Sequence, residues 1–133
     1  MQELMRRKDI RWGYEVQEAE DRIICIKLFL DDGQELPPFL SHKIMAAELR
    51  MNERSVIAAI ADFLSKIRDH TIETLTLRWS EAFMRSTKIE YVLTVPAMWS
   101  DKAKNSTLQA AKQAGMEGRI RMISEVSSKH MIR

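Results

Sequence analysis

The chain has 133 residues, of which 45% are hydrophobic and 30% charged, a composition that buries one core and excludes a disordered protein. Its 21 basic and 19 acidic residues leave a net charge of only +2, so electrostatics give no reason to expect nucleic acid or an anionic membrane as partner. One cysteine excludes an internal disulfide, and no run nears the roughly 18 apolar residues of a membrane span.

The first residues, Met1 to Asp9, contain no apolar h-region, so they do not read as a secretory signal. A reducing, cytoplasmic compartment is the expectation. Ile10 to Gln17 carries Trp12, Tyr14 and Val16 in alternation, which predicts a short strand. Residues 22–30 are almost continuously apolar and fit either a buried strand or a short helix. Within them Cys25 reads as a small buried hydrophobe rather than a reactive thiol. Asp31-Asp32-Gly33 is a turn signal, and the prolines of Leu36-Pro37-Pro38-Phe39 mark a loop.

From Arg54, the apolar-periodic positions fall at Val56, Ile57, Ile60, Phe63, Leu64, Ile67, Thr71, Leu75, Trp79 and Ala82, the spacing of an amphipathic helix. Asn52 is the expected N-cap, because its side-chain oxygen can accept from the free amides of the first turn. A helix running on to about Met84 is long, so a break near His70 to Thr74 is expected. Arg54, Asp62, Lys66, Arg68, Asp69, Glu73 and Arg78 form its polar face, read as solvated.

Lys43 to Arg50, a break at Met51-Asn52-Glu53, and Arg54 to Leu64 imitate a helix-turn-helix, with Ala47, Leu49, Ile57 and Ile60 as packing positions. The second helix would expose chiefly Arg54, Ser55 and Asp62, a poor set for reading bases. A DNA-binding protein is therefore one alternative, and a helical protein-interaction module is another.

Glu90 to Val95 is apolar and β-branched, and Pro96, which lacks a ladder donor, stops it. Ser100 caps a helix with Asp101 in its first turn, and Gly115 ends that helix. Arg119 to Ile123 returns as a strand, making a parallel βαβ unit. Polar groups then stand at the carboxyl ends of parallel strands, where open α/β sheets bind ligands. Trp99 reads as a packing anchor, and Lys102, Lys104 and Lys112 as solubilising charge. By residue chemistry alone Glu125 is a surface carboxylate. No Gly-rich phosphate loop or nucleophile elbow occurs, and His42, His70 and His130 have no metal-ligand spacing.

The run Val92-Leu93-Thr94-Val95-Pro96-Ala97-Met98-Trp99-Ser100-Asp101-Lys102-Ala103-Lys104, with Thr107, Ala110-Ala111, Ala114-Gly115-Met116 and Ile123-Ser124-Glu125, resembles the nucleotide-binding domain of the seventy-kilodalton heat-shock chaperones. Trp12-Gly13-Tyr14-Glu15-Val16 and Arg85 to Tyr91 are similar to the divergent chaperone-like branch abundant in fungi. The resemblance covers roughly 85–125, more loosely 12–16 and 56–84, and nothing after Glu125. It implies an actin-like, ribonuclease-H-like ATPase fold, with ATP and Mg2+ as cofactors and client proteins as partners.

The resemblance also implies residue roles. Pro96 matches the proline that couples nucleotide state to the rest of the domain. Lys104 stands where the family has an arginine of the same relay. Glu125 is similar to the carboxylate near the magnesium and the attacking water. The family follows that glutamate with a proline and an Ala-rich helix, whereas Val126 to Arg133 reads differently. The family's Asp-x-Gly-Thr loop, expected upstream of residue 1, and its second Gly-rich loop, expected downstream, are not among these residues.

The expected architecture is thus α/β: a partial actin-like ATPase lobe with a peripheral helical portion over 1–86, a βαβ core portion over 87–125 and a non-matching tail over 126–133. Without both phosphate loops the chain alone is expected not to hydrolyse ATP. With neighbouring strands missing, it is expected to aggregate or to need a partner.

Overall fold

A computed structural model describes residues 10–19, 22–33, 35–116 and 118–125; the tail expected from 126 lies outside them. In chain order they form short 3-10 helices at Gly13–Glu15 and Ile26–Phe29, then α1 (His42–Met51), α2 (Val56–Trp79), α3 (Glu81–Ser86), β1 (Glu90–Pro96), α4 (Asp101–Gln113) and β2 (Arg119–Glu125). The architecture is mixed helix and strand, as expected of an α/β chain.

The βαβ unit forms as its residues predict. β1 and β2 pair in parallel, with Tyr91 opposite Ile120, Leu93 opposite Met122 and Pro96 opposite Glu125. Between them Ser100 caps α4 by accepting from the Ala103 amide at 3.2 Å. Gly115 leaves the helix at φ 82, a conformation that suits a residue without Cβ. The buried stripe Ala103, Thr107, Ala110 and Ala111 lets α4 lie close to α2. Val95, Trp99, Ala103 and Ala110 join Leu30, Ile60 and Ala61 in one core, with Met122 packed against it. A second cluster, Phe29, Met45 and Leu49, seats α1 on the Ile26–Phe29 turn and on Val56 of α2.

The opposite face of the sheet is open: Val92 is 51% exposed and Ile123 43%. No third strand joins the sheet among the described residues.

Four expectations need correction. Ile10 to Gln17 is not a strand: Gly13 takes φ 58, and the segment turns into a 3-10 helix. Trp12 instead packs edge-on against Phe63 and His70, while Tyr14 projects into solvent, so the alternation did not mark one buried face. The N-cap of α2 is Ser55, which accepts from the Ala58 amide at 3.1 Å; Asn52 closes α1, its side-chain amide donating to the Glu48 carbonyl at 2.8 Å.

No break occurs at His70 to Thr74. The hydroxyls of Thr71 and Thr74 bond back to carbonyls four residues earlier, and α2 runs on to Trp79. The chain breaks at Ser80 instead, where φ 92 and ψ 155 end α2 and start α3. Finally, Cys25 is exposed rather than buried, with φ 54 in the turn ahead of Ile26.

Candidate functional site

The carboxyl edge of the sheet gathers groups from separate parts of the chain. Glu125 ends β2 directly opposite Pro96, the last residue of β1. Thr94, two residues earlier on the same face of β1, donates its hydroxyl to Glu125 Oε1 at 3.3 Å. Lys27, on the Ile26–Phe29 turn, brings its Nζ to 2.5 Å from that same oxygen. The ammonium also lies 5.8 Å from the centre of the Trp99 ring. Trp99 follows β1 at the turn into α4 and is buried, the packing role its position predicts.

These contacts set the electrostatics. The hydrogen bond from Lys27 holds the Glu125 carboxyl below the ordinary carboxylate range. Slight desolvation opposes that shift, while the Lys27 charge and the Thr94 hydroxyl add to it. Glu125 is therefore ionised at neutral pH, and its charge is already answered by an ammonium.

The other relay positions fall less closely together. Pro96 is in register with Glu125. Lys104 sits in the first turn of α4, half-buried, its backbone amide donating to the Ser100 carbonyl. No hydrogen bond or ion pair joins its side chain to Pro96 or Glu125 among the described residues.

An open groove of about 1070 Å³ runs beside the free edge of β1. Val92, Leu93 and Thr94 line it together with Trp12, Ile24 and Phe63. Lys27 lines it too, so the groove reaches both residues that hold Glu125.

Arg54 and Asp62 also line this groove, and they form the best-made ion pair of the described residues. The Arg54 guanidinium grips Asp62 with two bonds of 2.6 and 2.8 Å. Asp62 is 8% exposed, not part of a solvated face as its place in the sequence suggests. Arg54 is thus half-buried and committed to Asp62, and the Ser55 hydroxyl caps α2.

No known protein family, curated protein or solved structure matches this chain.

The residues at the strand end do not by themselves make a magnesium or nucleotide site. A hard dication prefers several oxygen ligands, and Glu125 is a single carboxylate with an ammonium on it. No group of three or more potential ligands clusters among the described residues. The sequence carries no Gly-rich loop of the kind that cradles phosphates. What the edge can do is hold one ionised carboxylate rigidly, with a cation and a hydroxyl beside it.

Lys27 and Thr94 escape sequence reasoning. Thr94 looks like an ordinary strand residue. Lys27 offers one faint signal, a lone cation within the apolar run Ile23 to Leu30. Its approach to Glu125 spans 98 residues of chain and depends wholly on the tertiary fold.

Proposed function

We propose that this chain is one part of a chaperone-like, ATP-hydrolysing domain, an actin-like lobe whose chemical groups lie at the carboxyl edge of its sheet. The observation that carries the reading is the apposition of Glu125, Pro96, Thr94 and Lys27 at that edge, built by a parallel βαβ unit. Open α/β sheets place ligands there, and the family pattern from Val92 to Glu125 falls on the same unit. In this reading Glu125 positions the attacking water in the complete domain, while Pro96 and Lys104 belong to the relay that reports nucleotide state. Phosphoryl transfer relies on positioning and electrostatics, which a carboxylate on a strand end can supply.

In this reading the chain alone is expected neither to hold nor to hydrolyse ATP, because its sequence carries the carboxylate but no Gly-rich phosphate loop. The open sheet face at Val92 and Ile123 favours a partner surface or self-association. Sequencing the transcript on both sides of these residues tests the family reading. An Asp-x-Gly-Thr loop upstream and a Gly-rich loop downstream would support it. Genomic flanks with neither in any frame would overturn it.

A helical interaction module is the second reading. Leu77 is 85% exposed at the corner of α2 and α3, and Trp79 stacks on Phe83 beside it. Exposed aromatics of this kind are enriched at protein interfaces. Loss of a bound protein on Trp79→Ala, with ATP chemistry absent from any extended form, would favour this reading over the first.

A further inference from the structure

We propose that Trp99 is the positioning residue of the strand-end pair: its buried indole fixes the Lys27 ammonium across the Glu125 carboxylate. The inference rests on reading Glu125 as the working carboxylate, but its geometry needs no nucleotide.

Three observations combine. Lys27 leaves a short 3-10 helix on a long side chain that is 48% exposed, and an exposed lysine of that length samples many rotamers unless something restrains it. Trp99 is 4% exposed and belongs to the core cluster with Val95, Ala103 and Ile60 and Ala61 of α2, and close packing of a buried ring restricts its rotamers. The ammonium reaches Glu125 at 2.5 Å while standing 5.8 Å from the centre of that ring. A cation near an indole face is attracted by the ring quadrupole, and tryptophan offers the strongest such surface.

The ring therefore does two things. It anchors the turn after β1 in the core, and it offers the ammonium a surface beside the carboxylate. Core order reaches an otherwise mobile surface charge through one side chain. Lys27 is the group that moves; Trp99 sets where it rests.

Two measurements test this on the 133-residue chain without nucleotide, so they are independent of whether the ATPase reading survives. The first uses the wild-type chain alone. Nuclear Overhauser contacts between the Lys27 ε-methylene protons and the Trp99 indole are expected, with those protons shifted upfield by the ring. Their absence in the folded chain would overturn the proposal.

The second follows amine acylation of individual lysines by mass spectrometry. In Trp99→Leu, Lys27 acylation is expected to rise about threefold, the size of an exposed cation–π attraction. In Trp99→Phe it should stay within about twofold of wild type, since an aromatic face remains. Lys102, which is 82% exposed, serves as the internal control and should not change. An unchanged Lys27 rate in a folded Trp99→Leu variant would refute positioning by the ring. Should that variant unfold, a Trp99→Phe variant that keeps the aromatic contact and the low Lys27 rate supports the proposal; one that loses the contact yet keeps the low rate overturns it.

Discussion

Lys27 Nζ rests 2.5 Å from Glu125 Oε1, closing a contact across 98 residues between a 3-10 turn and the end of a strand. Both side chains are almost half exposed, so solvent screens the pair and its stabilisation stays within about 1 kcal/mol. The sign of its pH dependence follows from the direction of the shift. Glu125 titrates below its unfolded value, so the folded state favours the ionised form. That contribution is fully present above the ordinary carboxylate range and is lost as pH falls through the lowered folded value. Thermal melts of wild type and Glu125→Gln should differ slightly at pH 7 and converge in strong acid. A gap that widens on acidification would contradict the assignment.

Arg54 and Asp62 predict a larger effect. Asp62 is 8% exposed and takes both of its bonds from one guanidinium. In Arg54→Met the buried carboxylate loses its counter-charge, which should cost about 2–3 kcal/mol, below the usual loss for a fully buried pair because Arg54 is partly exposed. The double change Arg54→Met with Asp62→Leu should recover most of that loss, because no unpaired charge remains. Urea unfolding of the three variants measures it; an Arg54→Met variant within about 0.5 kcal/mol of wild type would show the pair to be dispensable.

At Ser80 two substitutions should move stability in opposite directions. Its φ of 92 with ψ 155 is a backbone region suited to glycine, and its hydroxyl accepts from the Phe83 amide at 3.3 Å. Glycine removes strain and loses only a few tenths as a cap, so Ser80→Gly should gain about 1 kcal/mol. Alanine keeps the strain and loses the cap, so Ser80→Ala should lose about 1 kcal/mol. Equal effects from the two, read by thermal melts, would mean the junction is not strained.

The parts of the fold legible in the sequence are those determined locally. Pro96, Ser100 and Gly115 punctuate β1 and α4 through backbone chemistry that needs no neighbours. The misread parts depend on tertiary partners. Asp62 looks like a solvated residue until Arg54 folds over it. Trp12 belongs to an alternating pattern, yet Phe63 and His70 decide where it goes. Asn52 and Ser55 are both acceptable caps by type, and which helix each serves depends on where α1 ends. Glu125, a surface carboxylate by residue chemistry, is singled out only by the family resemblance. Lys27 is not singled out at all, because nothing within its own segment points to β2.

The central claim is that the strand-end carboxylate belongs to a nucleotide site of which this chain supplies only one part. Calorimetric titration of the purified chain with Mg-ATP tests it most directly, with Glu125→Gln as control. The account predicts no saturable heat from either protein, since the sequence contains no Gly-rich phosphate loop. Tight, magnesium-dependent binding by the wild-type chain that disappears in Glu125→Gln would contradict it.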